Sequence, residues 1–187
     1  MDGFHLSRQH LDHMTNPTYG HRKRGSYWTF DPYTFSSLLH RIANDTDKVI
    51  EVPTFDHAIK DPTPNGKSIL PTHRILICEG LYLFLNVEPW KSLVQPQFRI
   101  KIFLDCDDDL ARTRIVKRHV QSGISSNEQE ALFRWEDNDR PNGVFLQRNL
   151  TLTNMDVVLR AVDPHGVKIT HNSLSSSSSS SFRHAKL

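Results

Sequence analysis

A chain of 187 residues, 37% hydrophobic and 24% charged, is long enough for one domain with its own core. A net charge of +2 is too weak to argue for nucleic-acid binding, no apolar run reaches membrane-spanning length, and no cleavable signal pattern opens the chain, so a cytoplasmic protein is expected. The two cysteines, Cys78 and Cys106, lie in or beside apolar runs and read as buried, reduced thiols; the eleven histidines are scattered without zinc-site spacing.

The chain opens on Met1-Asp2-Gly3-Phe4-His5-Leu6, which reads as the end of a buried strand that turns to present a carboxylate. Ser7 is a suitable N-cap for a short helix to about Met14, with Leu6 and Leu11 inward. Residues 16–24 read as a polar, basic loop. Asp31 as N-cap and Pro32 at the first helical position start a helix whose Phe35, Leu38, Leu39 and Ile42 share one face. Lys48 to Val52 predicts a short strand ended by Pro53, and Asn65-Gly66 predicts the turn of a hairpin. Arg74 to Cys78 is apolar without alternation, which predicts a strand buried on both faces and ended by Glu79-Gly80. Ile100 to Leu104 repeats the pattern and ends at Asp105. Asp108 to Gln121 is helical, with Gly123 just beyond its end. Ser126 and Gln129 predict a capping box for a helix to about Asp137. Two late strands follow at Val157–Leu159 and Val167–Ile169. Strands alternating with helices give an α/β class with a mainly parallel sheet. Residues 1–172 then form one domain, and the Ser-rich tail 173–187 is expected to be disordered.

In an open parallel sheet, ligands gather at the carboxyl ends of strands, where Asp2 and Glu79 are predicted to lie. Phosphoryl transfer to a hydroxyl needs a phosphate cradle, Mg²⁺, a carboxylate to take the hydroxyl proton, and cations over the transferring charge. Asp2 suits the proton acceptor and Glu79 the Mg²⁺ water shell, although taken singly each is better explained as a turn residue or helix cap. Arg114 and Arg118 share one helical face and suit a lid over phosphates; a solvated basic face is the alternative. Gly66-Lys67-Ser68 imitates part of a phosphate loop. However, Asp61 stands where its first glycine belongs, and Pro62 and Pro64 remove amide donors, so a hairpin is predicted there instead. The basic segments Arg22–Arg24 and Arg112–Arg118 carry no signature of a nucleic-acid reader.

The segments Met1–Leu6, Arg22-Lys23-Arg24-Gly25, Thr29-Phe30-Asp31, Pro53–His57, Glu79–Leu83, Arg114–Val120 and Asn138-Asp139 with Asn142 occur in an order that resembles a family of P-loop kinases. That family includes uridine kinase, phosphoribulokinase and bacterial-type pantothenate kinase. The nearest resemblance is to its uridine-kinase-like branch of fungal ATP-dependent kinases and bacterial sugar-kinase-like proteins. The resemblance implies a P-loop NTPase-like parallel sheet flanked by helices, with ATP and Mg²⁺ as cofactors. It implies Asp2 as general base, Glu79 as the acid of the metal-side strand, and Arg114 and Arg118 as the lid. His5, Arg22, Arg24 and His57 match the acceptor-substrate side, and Asn138 and Asn142 the adenine side. Members of the family carry a strand, phosphate loop and helix ahead of the position of Met1, so a chain lacking that segment is expected to be inactive by itself. A non-catalytic binding or regulatory role is the alternative. The acceptor stays open between a nucleoside, a pantothenate-like alcohol and a sugar or sugar phosphate, and nothing in the sequence sets the oligomeric state.

Overall fold

The chain begins with a single 3-10 turn, Asp2–Phe4, in the computed structural model, which describes residues 1–56, 58–162 and 166–172. His57 and the Ser-rich tail therefore lie outside the described residues. Helix α1 (Arg8–Asp12) starts where expected, with the Ser7 hydroxyl accepting from the His10 amide. The basic loop expected next is instead a second helix, α2 (Pro17–Arg22). Asn16 caps it through the Tyr19 amide and Pro17 takes the first helical position. Gly20 in its middle reads as a helix breaker, but it is buried, and a Cβ there would meet Met14 Sδ at 3.1 Å.

Helix α3 (Pro32–Asn44) follows its prediction: Asp31 accepts from the Tyr33 and Thr34 amides, and Phe35 and Leu39 are buried. The hairpin also exists, but its turn is misplaced in the prediction. Strand β1 (Ile50–Asp56) runs through Pro53 and pairs antiparallel with β2 (Asp61–Ile69), so Asn65-Gly66 lies inside β2. The register slips between Val52 and Thr54, and this irregularity accommodates Pro53, Pro64 and the positive φ of 53° at Asn65.

The apolar run Arg74–Cys78 forms no strand, and its side chains Ile75 and Ile77 are 83% and 91% exposed. A strand needs a ladder partner for its backbone, and among the described residues none is paired with this segment. Beyond it, Tyr82, Leu83, Leu85 and Trp90 turn inward, the last on the short helix α4 (Trp90–Leu93).

Strand β3 (Ile102–Asp105) pairs parallel with β4 (Val157–Val162), and β4 pairs antiparallel with β5 (Gly166–Asn172). The α/β sheet is thus mixed. Phe103 packs against the core while Ile102 and Leu104 are exposed, so this strand is covered on one face and not on both as its apolar run suggests. Between β3 and β4 come α5 (Asp108–Gln121), with its predicted limits, and α6 (Glu128–Arg134). The cap of α6 lies one residue beyond its prediction: Asn127 accepts from the Glu130 amide, and the Glu130 carboxylate reaches back to the Ser126 amide. The helix does not end near Asp137. It passes through a π-helical turn (Trp135–Asp139) into α7 (Arg140–Arg148).

The main core gathers Phe4, Phe30, Phe35, Leu39, Tyr82, Trp90 and Leu146, and a smaller one joins Val116, Ala131 and Trp135. Phe4 fixes the first turn to the main core, which places Asp2 at its rim. Cys78 and Cys106 are half-buried thiols, and burial pushes both up.

Candidate active site

The first turn and the Glu79 segment meet directly. The Met1 amine donates to the Glu79 carbonyl at 2.5 Å. A Cβ on Gly80 would stand 2.2 Å from Met1 Sδ, so the Met1 side chain packs where a larger residue at position 80 would displace it. Two acids that are 77 positions apart in the chain, Asp2 and Glu79, thereby sit on adjoining segments, both exposed. The strand-end reading fails for both acids: Asp2 lies in a 3-10 turn and Glu79 in irregular chain, and what joins their segments is the Met1–Glu79 backbone contact.

Beside the turn is a hollow of about 330 Å³ lined by Gly3, His5, Asp31, Thr34, Pro53 and Asn65, among others. His5 packs its ring on Phe30 at 4.0 Å and on Phe55 at 4.9 Å. Its Nδ1 lies 2.8 Å from the Asp2 carbonyl, which can only accept, so Nδ1 carries the proton and Nε2 keeps a lone pair. Burial pushes this imidazole below its ordinary value, which keeps it neutral at pH 7. Asp31, read from sequence only as a helix cap, also lines this hollow; its capping signal hid that second placement. A larger hollow of about 640 Å³ between His10, His13, Tyr19 and Trp28 contains no carboxylate.

The cations expected to touch the acceptor are held by protein carboxylates. Arg22 grips Asp137 with both fork nitrogens, at 2.9 and 2.5 Å, and Lys23 approaches the same carboxylate at 3.1 Å. Arg24 donates to the Leu6 carbonyl at 2.6 Å and to Asp61 at 2.9 Å, reaches the Lys60 carbonyl, and lies over the Phe55 ring. It ties the loop to the hairpin. Asp137 and Asp61 were named in the sequence only as a helix end and as a residue out of place in a phosphate loop, not as partners of this loop; the available signal was three successive basic residues in a chain of nearly balanced charge, which call for carboxylates nearby.

Asn138 and Asn142 also serve this loop. Asn138 donates to the Arg24 carbonyl at 3.2 Å, and Asn142 accepts from the Ser26 hydroxyl at 2.9 Å. On α5, Arg114 donates to the Val162 carbonyl at the end of β4, and Arg118 is exposed one turn further on. His119 is buried against Asp139, 3.6 Å away; burial pushes the imidazole down and the carboxyl up.

Asp137 gives a pH-dependent contribution of definite sign. The Arg22 fork holds its carboxyl down to about 2 from an ordinary 3.8. A carboxyl lower in the folded state stabilises the fold fully above 3.8, and loses that contribution as pH falls toward about 2. Asp137→Asn is therefore expected to be less stable than the parent at pH 7, with the difference shrinking as pH falls through this window. Urea unfolding at a series of pH values checks this; a gap that stays constant with pH would exclude the assignment.

No protein-family model matches the chain. It is 39% identical over 168 residues to a Schizosaccharomyces pombe protein provisionally named uridine kinase, covering 90% of this chain and 70% of that protein. It is 36% identical over 183 residues to the ATP-dependent kinase YFH7 of Kluyveromyces lactis, covering 79% of this chain and 52% of that protein. The crystal structure of YFH7 from Saccharomyces cerevisiae, provisionally described as a P-loop-containing kinase with a circular permutation, superposes with a TM-score of 0.75 at 33% identity. That match covers 87% of this chain and 57% of that one.

The chain belongs to this family of P-loop kinases. It spans little more than half the length of the YFH7 kinases it matches. The chain's described residues suit some of the cofactors that the family resemblance implies and not others. Mg²⁺ keeps several waters and takes one or two carboxylates, and the exposed Glu79, on the segment that meets the first turn, is a carboxylate that would suit its water shell. Among the described residues no group of three or more His, Cys, Asp or Glu is gathered for an all-protein metal site. A triphosphate cradle is not supplied by Gly66-Lys67-Ser68: these residues are part of β2, and a Cβ on Gly66 would stand 2.0 Å from Thr54 Oγ1.

Proposed function

We propose that the protein of which this chain is all or part moves the γ-phosphoryl group of ATP, with Mg²⁺, to a hydroxyl of a small metabolite, and that this chain carries the acceptor side of the site. The observation that carries the proposal is the contact between the first turn, which holds Asp2, and the Glu79 segment, made by the Met1 amine on the Glu79 carbonyl, with a hollow of about 330 Å³ beside that turn. In it Asp2 takes the proton from the acceptor hydroxyl, and Glu79 orients the water shell of the metal. His5, held neutral between two aromatic rings, shapes the wall of the hollow and offers Nε2 as an acceptor. Arg118, and Arg114 beside it on α5, steady charge on the transferring group. Asn138 and Asn142 fix the Arg24–Ser26 loop that leads into Phe30 and Asp31, a scaffolding task in place of the adenine contact that the family resemblance implies. The relatives' names, uridine kinase and ATP-dependent kinase, support the reaction class.

The test is acceptor-dependent ADP release. The 187-residue chain, and longer polypeptides that contain it, are incubated with Mg-ATP and nucleosides, pantothenate-like alcohols, sugars or sugar phosphates. ADP release stimulated by one of these classes is the expected result. Mg-ATP neither bound nor hydrolysed in any form, with or without acceptors, would favour the non-catalytic binding or regulatory role instead.

A further inference from the structure

Consecutive residues of the π-helical turn reach in two directions. Asp137 holds Arg22 and Lys23, and Asn138 donates to the Arg24 carbonyl. Asp139 meets His119 in the last turn of α5. Residues two apart on a helix face nearly opposite sides, so Asp137 and Asp139 engage the basic loop and α5 from two sides of one short turn. The grip on the loop is completed by the Tyr82 hydroxyl, which donates to the Gly25 carbonyl at 2.9 Å, and by Asn142 on Ser26.

Hydrogen bonding is incomplete along this path. Among the described residues, the buried side-chain polar atoms without a hydrogen-bond partner are Arg24 Nε, Asp139 Oδ2 and His119 Nδ1. One lies in the loop, one in the turn and one in α5. Buried polar groups are ordinarily satisfied, by protein or by ordered water, so three such atoms along one path mark it as a place where the protein's own side chains leave hydrogen-bonding capacity open. The His119–Asp139 pair, 3.6 Å apart, is within ion-pair reach but longer than a good hydrogen bond. Arg118 from α5 and Arg134 from α6 also act on both members of the pair, and Tyr82 feels Asp139.

We infer that Asp139 and His119 are positioning residues: through the π-helical turn they set the Arg22–Ser26 loop, so that α5 and the loop shift together. This coupling is a property of the fold and does not depend on the phosphoryl-transfer proposal. Native-state hydrogen exchange on the full chain tests it. The reporters are the Gly25 and Ser26 amides, bonded to Thr29 Oγ1 and the Lys23 carbonyl, with the α3 amides of Leu39–Asn44 as the internal reference. Asp139→Ala is expected to speed exchange at the reporters by about tenfold and to leave the reference unchanged. Asp139→Asn, which keeps the size and one hydrogen-bonding oxygen, is expected to restore most of the protection. His119→Gln is expected to mimic Asp139→Ala and to add little on top of it, because both remove the same link. Reporter exchange unchanged in both variants would overturn the coupling, and so would a uniform rise that includes the reference. Should Asp139→Ala fail to fold, His119→Gln and Asp139→Asn give the same decision.

Discussion

Asp2→Asn is expected to cut phosphoryl transfer by about 10²–10⁴-fold, the usual worth of a positioned general base, while nucleotide affinity stays nearly unchanged. Asparagine keeps the size and shape of the side chain but cannot take a proton from the acceptor hydroxyl. The fold should tolerate the change, because the hydrogen bonds that form the turn run through the backbone: the Phe4 amide to the Met1 carbonyl, and the His5 amide and Nδ1 to the Asp2 carbonyl. The loss should fall on kcat rather than on binding, since the interaction that disappears is made only as the proton moves. The measurement is steady-state transfer to whichever acceptor stimulates ADP release, with Mg-ATP binding followed in parallel. Turnover equal to that of the parent would remove Asp2 from the chemistry and return it to the role of a turn residue.

What the sequence disclosed, and what it withheld, separates along local and non-local lines. Asp31-Pro32 announces a helix start because a cap acts on amides two or three residues away. The same logic applies to Asn16-Pro17, which starts α2 inside the segment read as a polar, basic loop. The hairpin was legible but its turn was not. Asn65-Gly66 has the conformational freedom of a turn and spends it on a strand irregularity, a choice fixed by the pairing partner and not by the dipeptide. Arg74–Cys78 failed for the same reason in stronger form, since an apolar run cannot supply the neighbouring strand that would make it part of a sheet. At the site, Asp2 and Glu79 were legible as acids that each precede a glycine. The partners of the basic loop were not: Asp137 stands 115 positions from Arg22, and only the folded chain brings them together.

Gly3→Ala and Gly143→Ala make the same chemical change and are expected to move stability in opposite directions. A Cβ at Gly3 would stand 2.3 Å from the Pro53 carbonyl oxygen and 3.1 Å from the Thr54 amide nitrogen, both backbone atoms of β1. No side-chain rotation relieves that contact. Nor can the turn retreat freely. On its other side the Phe4 carbonyl accepts from the Asp31 amide at 2.8 Å, the Leu6 amide donates to the Thr29 carbonyl at 2.8 Å, and Phe4 is buried in the main core. Overpacking of this kind costs about 1–3 kcal/mol, and the strain is shared between the hairpin and the turn that carries Asp2. Gly143, inside α7, has nothing within 4 Å of the added carbon, so alanine there is expected to stabilise by about 0.4–1 kcal/mol by restricting the unfolded chain. Paired urea melts give both signs in one experiment. In a form that turns over, Gly3→Ala should also lose activity well beyond its stability deficit, because a displacement of about 1 Å at a reacting group can cost 10²-fold. Gly143→Ala should not. A Gly3→Ala protein as stable and as active as the parent would mean that the close approach of the first turn to β1 does not set the position of Asp2.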